Sequence, residues 1–384
     1  MWVNIIINEK KMKNLLFILG TRPEAIKLAP LILEFKKYPN LYNVIVCNTE
    51  QQKELSNQAL NFFGIKADIF LDVMKPNQRL SELQARLLMQ LEKIIDQIKI
   101  DATIIQGDTM SVFAGALVSF FHKIPIVYVE AGLRSYDLNE PFPEESIRQM
   151  TSRIATLHFT PTNEATEALK KEQITSQKIY LTGNTGIDAL RLLSENQDTA
   201  YGKFWLKLGI DIEKDEVVLV TIHRRENHGD RLVSILKAIE KLSRAFPTHR
   251  FVLPVHPNPN IRENVYKHLN KYENIFLIEP IEYPHLVHIL KNAKLILTDS
   301  GGIQEEAPTF GCPILVLRYE TERKEGIKLG FSQLVGTETE LIYKKASDIL
   351  LLDKKETRIY KENPYGDGIA SQRIEKIIRR FLYE

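Results

Sequence analysis

Three carboxylates stand where apolar runs of the chain break off. Asp108 follows Ala102–Ile105 in Gln106-Gly107-Asp108-Thr109, and Glu130 follows Ile126–Val129 in Glu130-Ala131-Gly132-Leu133-Arg134. Glu144 and Glu145 close the loop Pro141-Phe142-Pro143, whose two prolines stiffen it and place the pair in a first helical turn. A strand-end carboxylate beside glycine has little capping to do. Such groups on one rim suit general acid/base work or a bound metal. Of Glu144 and Glu145, one is expected simply to complement its helix dipole.

A second set carries the opposite charge. Gly20-Thr21-Arg22-Pro23-Glu24, with Lys27 one turn on, follows the apolar run Asn14–Leu19 and reads as a phosphate-binding turn, its backbone N–H groups facing outward. His223-Arg224-Arg225-Glu226-Asn227 follows Val217–Ile222 and sets an imidazole and two guanidiniums at a strand terminus, a place suited to an anionic leaving group. In Asp299-Ser300-Gly301-Gly302, two glycines allow close approach of the backbone to a phosphate and Ser300 offers a hydroxyl. Glu306 can accept from both hydroxyls of a ribose, and one of Glu305 and Glu306 is expected on a solvated helix face. Arg318 and Arg323 add two guanidiniums, one expected to contact substrate and the other to form a salt bridge. His256, in a proline-rich loop, is expected to be structural.

Positioning these groups requires strands. Short β-branched runs alternate with longer helical patterns, the signature of parallel sheets built from βαβ units. Strands are expected at Leu15–Leu19, Asn43–Cys47, Ala102–Ile105, Ile124–Val129, His158–Thr160 and Ile179–Thr182, then at Val217–Ile222, Phe251–Pro254, Ile275–Ile278, Leu295–Thr298 and Pro313–Val316. A helix-forming stretch around Leu190–Lys203 separates the series. The fold class is therefore α/β, with two doubly wound domains: residues 1–182, with 1–11 as an extension before the fold, and residues 183–369. The amphipathic segment 370–384 forms a last helix able to pack on either half. The cleft between domains is the expected site.

Composition removes several functions. The 384 residues carry 51 basic and 49 acidic side chains, so no overall field attracts nucleic acid or an anionic membrane. Nothing approaches a spanning helix. Two cysteines give neither a disulfide framework nor a zinc spacing, which fits a reducing cytoplasm. The glycine signatures of dinucleotide and P-loop sites are missing, and no His/Cys cluster occurs, so no metal and no cofactor is expected.

Taken in order, Gly20–Glu24, Gln106–Thr109, Glu130–Arg134, the Pro-Glu-Glu loop, His223–Asn227 and Asp299-Ser300-Gly301-Gly302-Ile303-Gln304-Glu305-Glu306 closely resemble the non-hydrolysing UDP-N-acetylglucosamine 2-epimerases. The resemblance runs from about Met12 to the C-terminus. It implies a GT-B architecture with the last helix returning to the first domain, and a cytoplasmic homodimer. It also implies epimerisation at C2 through anti elimination of UDP to 2-acetamidoglucal and re-addition, serving surface polysaccharide synthesis. By motif position, Asp108, Glu130, Glu144 and His223 match the catalytic residues. Arg22, Lys27, Arg134, Ser300, Gly301, Gly302, Glu306 and Arg323 match substrate-binding positions.

The pattern is not complete. Lys324-Glu325 replaces a Pro-Glu after Arg323, and Leu286 stands where an aromatic often covers the uracil. Gln51-Gln52 replaces a Gln-His within the family's regulatory site, which weakens the expectation of allosteric activation. Alternatives are a 2-epimerase of a modified UDP-sugar, a hydrolysing 2-epimerase, a GT-B glycosyltransferase or a nucleotide-sugar sensor.

Overall fold

Leu15 to Leu19 are all completely buried, so this strand is covered on both faces, as a central parallel strand must be. The computed structural model describes residues 11–139, 141–195 and 199–384. The expected extension, residues 1–11, therefore lies almost wholly outside the described residues. So do part of the helix-forming stretch after Leu190 and the side chain of Arg225.

Two compact units result. The first ends at Ala189 and is rejoined by Gly366–Glu384; the second is Leu190–Tyr365. The division falls within the helix Thr185–Ser194, a few residues after Gly183.

The strands of the first unit are β1 (Lys13–Leu19), β2 (Tyr42–Asn48), β3 (Ile69–Phe70), β4 (Ala102–Gln106), β5 (Ile126–Val129), β6 (Leu157–Thr160) and β7 (Ile179–Leu181). They are parallel in the order β3-β2-β1-β4-β5-β6-β7. In the second unit β8 (Val217–Thr221), β9 (Arg250–Pro254), β10 (Ile275–Ile278), β11 (Leu295–Thr298), β12 (Ile314–Val316) and β13 (Ser332–Leu334) run in the order β10-β9-β8-β11-β12-β13. Each sheet reverses its strand order once, at β1/β4 and at β8/β11. Ligands of open α/β sheets bind outside the carboxyl ends of strands at such a switch point. Gly20–Glu24, Asp108, His223 and Asp299–Gly302 follow these four strands, while Glu130 follows the neighbouring β5 and Arg318 the neighbouring β12.

Two strands escaped the sequence pattern. β3 and β13 are too short for a period to show, and each carries an exposed residue, Phe70 and Gln333 respectively. The helix Ala370–Tyr383 belongs to the first unit. Asp188 accepts from the amides of Ala370 (3.2 Å) and Ser371 (2.7 Å) at its N-terminus, and Tyr42 Oη donates to Glu375 at 3.0 Å. A carboxylate on orphan N–H groups and a buried phenol fix where this helix docks.

Candidate active site

In the first unit, the turn after β1 is filled from within. The amides of Gly20 and Thr21 and the Thr21 hydroxyl all donate to Glu24 Oε2 at 2.8–3.0 Å, Thr109 Oγ1 donates to Oε1, and the Arg22 amide donates to Gln52 Oε1 at 3.1 Å. This corrects the reading of an open phosphate cradle: a protein carboxylate already occupies those donors. Burial pushes the Glu24 pKa up against these hydrogen bonds. Glycine is required at position 20, where a Cβ would lie 2.0 Å from Thr49 Oγ1. Of the expected regulatory pair, Gln52 thus braces this turn, while Gln51 accepts from Ser111 Oγ at 2.9 Å.

The carboxylates occupy three different environments. Asp108, after β4, accepts from Arg148 Nη1 at 2.7 Å and keeps 30% of its side chain exposed. Glu130, after β5, has a left-handed backbone (φ 62°), an uncommon state for a non-glycine residue. It accepts from Lys27 Nζ and Gln106 Nε2 and is nearly buried. Glu144 opens the helix Glu144–Ile154, and its Oε2 is buried with no hydrogen-bond partner among the described residues. An unpaired buried carboxylate oxygen is costly and calls for a reason.

Glu145 is the structural member of its pair. Completely buried, it accepts from the amides of Ser135 and Tyr136, from Gln149 and from Arg148 through Nε and Nη2. Burial alone would raise its pKa, but Gln149, the Ser135 amide and Arg148 outweigh it and lower the value overall. Arg134 departs from the expectation of a substrate contact. Its side chain is 1% exposed and spent on Glu172 (2.6 and 3.0 Å), Ser152 Oγ (2.8 Å) and the Leu133 carbonyl (2.8 Å). Those bonds make it an internal pin.

In the second unit a buried acid organises the rim. Asp299, wholly buried, accepts from His223 Nδ1 at 2.9 Å, from the amides of His223 and Arg224, and from Asn227 Nδ2 at 3.0 Å. Burial would raise its pKa; His223 and the other donors outweigh that and lower it overall. Arg224 Nε donates to the Asp299 carbonyl at 3.0 Å. Burial and the neighbouring Arg318 guanidinium depress the Arg224 pKa, a mark of crowded positive charge. Glu322 partly answers that charge. Although burial opposes it, hydrogen bonding from Arg318 and the charge of Arg323 bring its pKa down to about 2.

Arg318 is the salt-bridge member of its pair, held at 2.8 Å by Glu226 and at 3.2 Å by Glu322. Arg323 pairs with Glu305 at 2.9 Å and Glu322 at 3.1 Å, and its guanidinium lies against Gly301, where a Cβ would come within 2.9 Å of Cζ. Glu305 is therefore buried and paired rather than solvated. Glu306, half-buried, accepts from Tyr283 Oη at 2.9 Å. Gly302 is exposed, and a Cβ there would meet nothing nearer than Ser300 Oγ at 4.0 Å. The fold itself does not require that glycine. Leu286 packs on the core of the second unit.

Arg148, Gln106, Tyr283 and the role of Asp299 were not singled out from the sequence. For Arg148 a signal existed, since it lies three residues after Glu145, its ion-pair partner on the same helix.

The profile of the family described as UDP-N-acetylglucosamine 2-epimerase matches residues 34–379. The chain belongs to this family. A UDP-N-acetylglucosamine 2-epimerase of Bacillus subtilis is 42% identical over 376 residues, 97% of each chain. A crystal structure of UDP-GlcNAc 2-epimerase from Neisseria meningitidis, bound to UDP-GlcNAc, superposes with a TM-score of 0.87 at 41% identity, covering 96% of this chain and 100% of that one. The Methanocaldococcus jannaschii enzyme in complex with UDP-GlcNAc and UDP gives 0.79 at 33% identity, covering 96% and 99%. The fold class is accordingly α/β with two Rossmann-like parallel-sheet domains, the GT-B class of these epimerases.

Proposed function

We propose that this chain interconverts UDP-N-acetylglucosamine and UDP-N-acetylmannosamine without releasing free sugar. The observation that carries the reading is the pairing of family membership with a buried carboxylate oxygen on Glu144 that has no hydrogen-bond partner among the described residues, in a unit that also carries Asp108 and Glu130 after neighbouring strands. The C–H at C2 is unactivated, so inversion through departure of the group on C1 is the economical route. A base takes the C2 proton as the C1–O bond breaks, the electron pair forms C1=C2, and UDP leaves with the bonding pair. Return of a proton to the opposite face of C2 and attack of UDP on C1 complete the inversion.

In this reading Asp108 and Glu144 are the acid/base pair on opposite ring faces, and Glu130 supports the oxocarbenium-like transition state. The second unit takes the UDP. His223 donates to the departing diphosphate, Ser300, Gly301, Gly302 and Arg323 hold its phosphates, and Glu306 binds the ribose. Arg22 and Lys27 are the first unit's cationic substrate-binding residues, Lys27 being paired with Glu130. No cofactor or metal takes part. The reading includes a cytoplasmic homodimer. The exposed Met89, Phe120 and Phe121 support the dimer, and light scattering tests it.

Incubation with UDP-N-acetylglucosamine in D₂O, followed by proton NMR, tests the reaction. UDP-N-acetylmannosamine bearing deuterium at C2, with little free UDP, is the expected result. Free UDP with free N-acetylmannosamine would instead show a hydrolase, and an unchanged substrate would refute the activity.

A further inference from the structure

His223 keeps 43% of its side chain exposed, yet its ring does not rotate freely. Its Nδ1 lies 2.9 Å from Asp299 Oδ1, and Asp299 is wholly buried, directly after β11. Both carboxylate oxygens are engaged. Oδ1 takes the ring and the His223 amide (3.2 Å); Oδ2 takes the His223 amide (3.1 Å), the Arg224 amide (3.0 Å) and Asn227 Nδ2 (3.0 Å). Every one of these partners is a donor. A deprotonated carboxylate facing Nδ1 admits only the ring form with its proton on that nitrogen, which leaves Nε2 for any outside group. Among the described residues, no protein atom hydrogen-bonds Nε2.

We propose that Asp299 is a positioning residue for His223: it keeps a proton on Nδ1 and fixes the plane of the imidazole, so that the protonated ring presents Nε2–H to the diphosphate as the C1–O bond breaks. The proposal rests on the epimerase reading given above. Asp299 also joins two ligand-facing segments, because it directly precedes Ser300-Gly301-Gly302 while its side chain holds the start of the His223–Asn227 loop. The contact is electrostatic and one-directional in its demand: an amide at 299 would turn an N–H₂ towards donors on at least one side, whichever way it flips.

The test combines kinetics with the state of the ring. Asp299→Asn is expected to lower kcat about 10²–10³-fold while changing the inhibition constant of UDP by less than about threefold. The double variant D299N/H223N is expected to be no slower than H223N alone, since a residue that acts through His223 has nothing left to position. Additive losses in the double variant, or a UDP constant that rises in step with the loss of kcat, would assign Asp299 a purely structural role and overturn the proposal. Should D299N not fold, wild-type protein labelled with ¹⁵N-histidine decides: a proton on Nδ1 of His223, identified by its disappearance in H223N, is expected, and an unprotonated Nδ1 overturns it. Failure of the activity reading is separately visible as wild-type protein that produces no UDP-N-acetylmannosamine, whatever the ring tautomer.

Discussion

The two units solve one problem with opposite signs. In the first, a guanidinium that is 11% exposed, Arg148, stands behind a carboxylate that is 30% exposed, Asp108. In the second, a carboxylate with no exposure, Asp299, stands behind an imidazole that is 43% exposed. In each case the outer group is the one able to reach a ligand, and the inner one holds it still. The difference lies in what else each inner group serves. Arg148 also clamps Glu145, so it ties Asp108 to the helix that carries Glu144. Asp299 ties His223 to a glycine turn. Acid/base work on a ring needs two carboxylates in fixed relation, whereas leaving-group stabilisation needs one donor aimed at one anion.

Breaking the first arrangement has the largest expected effect. Asp108→Asn should lower kcat by about 10³-fold or more and leave UDP affinity within about threefold, read by the NMR assay and by calorimetry with UDP. Near-normal turnover would remove Asp108 from the acid/base pair. Arg148→Met should lower kcat about 10²-fold and also the melting temperature, because it frees Asp108 and leaves the buried Glu145 uncompensated.

Arg134→Met separates stability from substrate contact. Breaking its buried pair with Glu172 is expected to cost about 3–5 kcal/mol in a urea titration, with KM unchanged in the folded fraction. A rise in KM without loss of stability would return Arg134 to the substrate site. On the second unit, Tyr283→Phe removes the hydroxyl that orients Glu306 and should raise the UDP dissociation constant by about threefold to tenfold.

The smallest effect concerns acid. Glu322 has a pKa of about 2 in the fold against 4.5 ordinarily, so its contribution to stability is complete above the higher value and drains away as pH falls through the lower. Its partial exposure makes that contribution modest. The melting temperature of Glu322→Gln should therefore lie below wild type at pH 6 and converge with it towards pH 2.

Much of this was written along the chain. Strand-end residues are legible because a buried strand announces itself by a short apolar run, and the residue after that run faces the ligand side of a parallel sheet. Asp108, Glu130, His223 and Ser300 were found this way. The turn after β1 misled for a physical reason. Glu24 closes a capping box three residues after Thr21, a local signature that a reading for phosphate contacts passes over, and Gln52 reaches in from 30 residues away. Arg134 misled likewise, since its partner Glu172 is 38 residues away.

The amino-acid sequence by itself determined the alternation of strand and helix, the rim positions and the family, because each depends on local pattern or on motifs in order. Tertiary structure alone decided which of two adjacent charges is spent internally: Glu145 rather than Glu144, Glu305 rather than Glu306, Arg318 more completely than Arg323. Neighbours in a chain share composition but not environment, and burial with distant partners governs the outcome.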